Sequence, residues 1–218
     1  MNIRQNPEIN LDRIAGLCRE LDKIQERYLE NYFPLLTTHG AKDSKLIPKQ
    51  PLLYSQELEL KKEKVNQAFV DICMVYFFYQ PKAEADFSEI EKQVRNGEKD
   101  IRSLIRKLIW QEHNFLAAFA EENGLNEERL FFLLFHTAKP FVINYANRFK
   151  SLINLEMWHE TFCPVCGWEP VTAKTIEGSE HRVLQCSLCD MEWSCKSHAC
   201  CLLSKDSYLE DCDGITKS

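Results

Sequence analysis

Apolar residues recur at three- and four-residue steps through most of the first 150 positions, the repeat of an α-helix with one buried face. Ile14, Leu17, Cys18, Leu21, Ile24, Tyr28 and Leu29 define the first such face, and Pro34 stands near its end. A polar stretch over residues 39–50 follows, with Pro48 and Pro51 as breakers. The next helix is predicted from near Ser55, whose hydroxyl suits an N-cap, with Glu57 and Glu59 in its first turn. It runs to about Gln80, and Val65, Phe69, Val70, Ile72, Cys73, Tyr76 and Phe77 make it apolar nearly all round, which predicts a central position. Pro81 stops it. A short helical piece over 86–94 closes at Asn96-Gly97. Ile101, Leu104, Ile105, Leu108, Ile109, Phe115, Leu116 and Phe119 then predict one long helix ending at Asn123-Gly124. The last helix starts near Asn126 and carries Leu130, Phe131, Leu133, Leu134 and Phe135. Pro140 inside it predicts a break or kink near Ala138-Lys139, because proline lacks the N–H and clashes with the preceding turn. Phe141, Val142, Tyr145, Ala146 and Phe149 continue the apolar face.

The pattern changes near Trp158. Short alternating segments at 169–176 and 181–186 flank Glu177-Gly178, a hairpin turn, and 191–195 reads as a third strand. The expected architecture is mainly α: a bundle of five or six helices over residues 1–158, then a small β module of the zinc-ribbon kind over 159–218.

Cysteine usage gives that module its chemistry. Cys163-Pro164-Val165-Cys166-Gly167 and Cys186-Ser187-Leu188-Cys189 form C-x2-C-x19-C-x2-C. Two intervening residues let paired sulfurs converge on one centre, and a second pair completes the thiolate tetrahedron that Zn²⁺ prefers and iron accepts. One ion per chain, zinc or iron, is therefore expected at Cys163, Cys166, Cys186 and Cys189. Four equivalent ligands close the coordination sphere, which points to a structural rather than a catalytic site; the alternative is a redox or metal-transfer module with iron in the same cage. A module this small lacks a sufficient core, and the ion would contribute on the order of 10 kcal/mol to its folding. Arg182 and Lys174 either offset the negative charge of the thiolates or are ordinary solvated cations; Trp168 and Trp193 either pack the ribbon or anchor a partner. Further on, His198, Cys200, Cys201 and Cys212 form either a second metal site or a tail of free thiols, because position 203, where a partner for Cys200 would fall, is Leu203. Cys18 and Cys73 read as buried, inert thiols.

Charge and composition narrow the classes further. The formal net charge is -6 and the pI about 5.6, and beyond residue 160 acidic residues outnumber basic ones. A nucleic-acid-binding ribbon should be basic, so nucleic acid is not an expected partner. The N-terminus has no apolar signal core, and the apolar stretches 68–79 and 130–141 are too short and too interrupted to span a bilayer; a cytoplasmic protein without membrane association is expected. No G-x-S-x-G, H-E-x-x-H, P-loop or dinucleotide pattern occurs. His113, His136 and His159 read as ordinary helical histidines, and Glu121-Glu122 and Glu127-Glu128 as charges at helix ends. No catalytic constellation emerges, so the expected protein is not an enzyme.

The first knuckle, the run Arg182-Val183-Leu184-Gln185-Cys186-Ser187-Leu188-Cys189, Glu192-Trp193 and the segment Lys139-Pro140-Phe141 together resemble the formate dehydrogenase accessory protein family, the FdhE type. The likeness is specific over residues 139–200 and general before them. It implies a maturation factor that pairs a helical domain with rubredoxin-like metal knuckles and binds the catalytic subunit of a molybdenum- or tungsten-dependent formate dehydrogenase. The family continues with an arginine and a second pair of C-x2-C knuckles. Here Ser197 stands in the arginine's place, Leu203 replaces a cysteine, and Cys212 alone lies near the fourth pair, so the resemblance implies a degenerate second site.

Overall fold

A computed structural model describes residues 11–30, 50–54, 58–158, 160–175 and 181–196. Six α-helices and a three-stranded sheet are found among them: α1 (Leu11–Glu30), α2 (Lys62–Tyr79), α3 (Pro81–Arg95), α4 (Arg102–Ile109), α5 (His113–Glu122), α6 (Glu127–Phe149), β1 (Pro170–Thr175), β2 (His181–Cys186) and β3 (Glu192–Lys196). The mainly helical class with a small cysteine-bearing sheet is as expected. The polar stretch before Gln50, the Ser55 cap, the Glu177-Gly178 turn, His159, and the segment holding His198, Cys200, Cys201 and Cys212 lie outside the described residues. By internal contacts the chain divides into two units. One holds residues 1–38 and 58–145, the other 39–57 and 146–218.

In the helical unit, α2 supplies the centre: Val65, Ala68, Phe69, Val70, Ile72 and Cys73 are all buried. Its late residues are less enclosed than their apolarity suggests, since Met74 and Phe78 are exposed. The helix begins at Lys62, later than Ser55, with Leu60 already buried ahead of it. Along α1 the buried stripe is Leu17, Leu21, Ile24 and Tyr28, flanked by Gln25. Cys18 is exposed, contrary to expectation: one residue is a rotation of about 100° around the helix, and with Leu17 turned inward Cys18 faces solvent. Cys73 is buried as expected, and burial pushes its thiol well up. Asp71 ties α1 to α2, accepting hydrogen bonds from Arg27 and from the Tyr28 hydroxyl at 2.9 Å.

The helix junctions correct three expectations. Pro81 does end α2, but it also opens α3, which starts at residue 81 rather than 86; proline suits a first-turn position because no helical N–H is needed there. The long helix over 101–119 is two helices. α4 closes in a Schellman turn, with the Gln111 N–H on the Leu108 carbonyl (2.9 Å), the Glu112 N–H on the Lys107 carbonyl (2.9 Å), and Gln111 at φ 58°. The same motif ends α3 at Gly97 and α5 at Gly124. Finally, α6 runs unbroken from Glu127 to Phe149 with Pro140 inside it. An internal proline costs about 3 kcal/mol, whereas burying each large apolar side chain returns roughly 1.5–3 kcal/mol. Leu130, Leu133, Leu134, Phe141, Val142 and Tyr145 are all buried on the two sides of the proline, so packing outweighs the break.

His136 sits on this helix among Phe132, Phe135 and Gln25, whose Nε2 lies 3.1 Å from its Nδ1. Burial, and secondarily Lys139, lower its pKa to about 4. The folded chain therefore binds fewer protons than the unfolded chain once the pH drops below the ordinary histidine value. His136 contributes nothing adverse above pH ~6.5 and an increasing penalty between pH ~6.5 and about 4, reaching roughly 3 kcal/mol. Urea unfolding of the helical unit should lose stability over that window, and His136→Gln should flatten the loss. An unchanged pH slope in the variant would show that His136 is not the group responsible.

Candidate metal centre

The sheet is an antiparallel meander in the order β1-β2-β3. Leu184 on β2 faces Ala173 on one side and Trp193 on the other, and Leu184 and Trp193 are buried. β3 alternates: Trp193 and Cys195 point inward, Glu192 and Ser194 outward. β1 is an edge strand with an irregularity between Pro170 and Thr172, and its residues 171–174 are exposed. Proline at the strand start, a bulge and Lys174 are the usual protections of such an edge. Lys174 lies 3.9 Å from Glu192 across the sheet face, which leaves it an ordinary exposed cation rather than a companion of the sulfurs. Two indoles fix the approach to the first knuckle: Trp158 Nε1 donates to the Phe162 carbonyl (2.9 Å) and Trp193 Nε1 to the Glu160 carbonyl (3.0 Å). Trp193 thus packs within the ribbon, and Trp168 is buried beside the first knuckle, its carbonyl bonded by the Cys163 N–H.

The two C-x2-C segments fold alike. The Cys163 N–H bonds the Trp168 carbonyl and the Cys186 N–H the Met191 carbonyl, both at 2.9 Å and both five residues on. The residue after each second cysteine is left-handed, Gly167 at φ 78° and Asp190 at φ 55°. This turn frees backbone N–H groups to face sulfur: Val165 N–H to Cys163 Sγ at 3.4 Å, and Cys189 N–H to Cys186 Sγ at 3.5 Å. Glycine takes such a φ without strain, and aspartate is among the few other residues that tolerate it.

The sulfurs of Cys163, Cys166, Cys186 and Cys189 all lie within 4.8 Å of one another, and all four residues are buried. Cys163–Cys189 and Cys166–Cys186 are 3.4 Å apart and Cys166–Cys189 3.7 Å. A tetrahedron built on a Zn–S distance of about 2.3 Å has edges of roughly 3.8 Å, so the cage fits an ion of that size. Burial pushes the Cys166 thiol well up, while hydrogen bonds from Cys163, Cys166 and Cys189 pull Cys186 down. Four buried sulfurs this close cannot all ionise unless positive charge stands between them. The donor set is all thiol, the chemistry that zinc and iron select and that calcium or magnesium does not.

Sequence reasoning found the cage but missed a second contributor. Residues 51–54 lie against the first knuckle: Leu52 N–H donates to the Pro164 carbonyl (3.1 Å) and Leu53 N–H to the Val165 carbonyl (3.0 Å). Backbone-to-backbone bonds leave no side-chain signature to read. The only hint was Leu52-Leu53, an apolar pair in a polar surround.

With the geometry in hand, the chain defines a helical protein carrying a four-cysteine ribbon. Residues 162–196, the span of that ribbon, match the family model described as FdhE, central domain. A curated relative, "Protein FdhE homolog" of Aquifex aeolicus (strain VF5), is 25% identical over 202 residues, covering 88% of this chain and 69% of that protein. No solved structure matches. Both likenesses are to FdhE-type proteins, the family that the knuckle residues resemble.

Two substitutions test the geometry. Cys163→Ser or Cys186→Ser should abolish uptake of a stoichiometric ion and make residues 160–196 protease-sensitive, while the far-UV helical signal persists. A ribbon that keeps its protease resistance in either variant would contradict a metal-organised fold. Gly167→Ala should destabilise the ribbon by at least ~1–2 kcal/mol from the left-handed backbone alone. Asp190→Gly, which relaxes the same φ, should cost less, as read from urea midpoints by tryptophan fluorescence.

Proposed function

We propose that this protein is an accessory factor, not an enzyme, that holds the catalytic subunit of a formate dehydrogenase during its maturation. Its ribbon is organised by one zinc or iron ion on Cys163, Cys166, Cys186 and Cys189. The observation that carries the reading is a coincidence of place: the span matching the FdhE central domain is the same span in which four buried sulfurs converge. The relative's name supports the family, and the family's accessory role supplies the partner.

The site chemistry favours holding over turnover. All four ligands come from the chain, so the ion keeps no open position for substrate or water. When bound, the ion supplies charge neutralisation and a rigid cross-link between the two knuckles. The N–H groups of Val165 and Cys189 stabilise the thiolates of Cys163 and Cys186, and the surrounding Trp168, Leu184, Leu188 and Trp193 exclude water. No helix among the described residues is long and apolar enough to cross a membrane.

The direct test is copurification of the tagged full chain with a formate dehydrogenase catalytic subunit expressed beside it, with an authentic FdhE protein as the positive control. Retention of the subunit by both is the expected result. Retention by the control alone would end the formate dehydrogenase assignment.

A further inference from the structure

The short segment Pro51–Tyr54 lies more than a hundred residues before the cysteines, yet it belongs to the same unit as the ribbon. Pro51, Leu52 and Leu53 are buried, and a single 3₁₀ turn, with the Tyr54 N–H on the Pro51 carbonyl (3.0 Å), presents two successive N–H groups to the first knuckle. Those groups bond the carbonyls of Pro164 and Val165, the two residues between Cys163 and Cys166.

The peptide unit joining Pro164 to Val165 is thereby hydrogen-bonded on both sides. Its carbonyl accepts from Leu52 N–H at 3.1 Å, and its N–H donates to Cys163 Sγ at 3.4 Å. A carbonyl that accepts a hydrogen bond polarises its own amide and makes the N–H a stronger donor. The segment also seals the turn from above, since a Cβ at position 167 would meet Tyr54 Oη at 2.9 Å and Pro51 Cγ at 3.1 Å.

We propose that residues 51–54 are an outer-sphere strap of the metal centre: they orient the first knuckle toward the ion and strengthen the hydrogen bond to the Cys163 thiolate, and strap docking and metal binding each require the other. Partners of this kind, one bond removed from the ligands, commonly change metal affinity by 10–100-fold. The proposal rests on the reading of the four cysteines as a metal site and is independent of which enzyme the protein serves.

The test uses the full chain, zinc-loaded and reduced. Chymotrypsin digestion followed by mass spectrometry reports cuts after Leu52, Leu53 and Tyr54. Chelation should raise these cuts at least tenfold, and added zinc should suppress them. In the other direction, Leu53→Asp should weaken zinc binding by 10–100-fold against a chromogenic chelator, with the helical signal unchanged, and Leu53→Met should restore it. In cobalt-substituted protein, Leu52→Pro removes the donor to Pro164, and the thiolate-to-cobalt charge-transfer band should move to lower energy as Cys163 becomes more electron-rich. Equal cutting with and without zinc, or a Leu53→Asp chain that binds zinc as tightly as the unaltered one, would overturn the strap and leave the metal site standing. A chain that takes up neither zinc nor cobalt would overturn both.

Discussion

Four sulfurs held within 4.8 Å of one another, out of reach of water, set the terms for everything around them. Ionised, they repel; protonated, they are small apolar groups with little to hold a three-stranded sheet together. A divalent ion of the right size would resolve the conflict, converting a repulsive cluster into the centre of the ribbon. The rest of the module serves that convergence. Left-handed residues at Gly167 and Asp190 turn the chain, N–H groups face the sulfurs, and the indoles of Trp158 and Trp193 fasten the segment leading into the first knuckle. Leu184, Leu188, Trp168 and Trp193 add buried apolar side chains, while β1 is exposed along most of its length.

The helical unit is held together by a different force. Its interior is Val65, Phe69, Ile72, Phe87, Ile105, Leu108, Leu133, Leu134 and Phe141, all within 2% of complete burial. The polar groups inside it are few and mostly answered: Asn66 donates to the Val94 and Lys99 carbonyls, and the Thr137 hydroxyl to the Leu133 carbonyl. Protonation of His136 therefore bears on the helical unit, while the ribbon's chemistry lies in its four clustered sulfurs.

What was legible from the residues follows the physics of each signal. The cage was legible because metal geometry demands cysteines at fixed spacing. The helix faces were legible because burial has a period. Helix ends were legible where proline or glycine marks them: Pro81 ends α2, three helices close with the same Schellman turn, and Asn96-Gly97 and Asn123-Gly124 announced two of those. The third uses Gln111 at φ 58°, a residue type that carries no such signal, and so α4 and α5 looked like one helix. Pro140 was misleading in the opposite direction. Its local cost is real, but buried neighbours before and after it outweigh that cost, and tertiary burial cannot be weighed from local sequence. Cys18 was misplaced by a single step around α1, a resolution that apolar periodicity does not have.

The strap explains a difference between the knuckles that spacing alone leaves unexplained. Both turns need a left-handed residue after the second cysteine, yet one uses glycine and the other aspartate. At position 190 the side chain is exposed, and aspartate is among the few residues besides glycine that tolerate the backbone angle. At position 167 two conditions act together: the angle, and the presence of Tyr54 and Pro51 where a Cβ would stand. Glycine is the residue that satisfies both. The pair C-P-V-C-G and C-S-L-C-D therefore records which knuckle is covered by a distant piece of chain. An asymmetry between two similar cysteine loops is then evidence about their outer surroundings, because an ion bound by four equivalent sulfurs would have no reason to distinguish them.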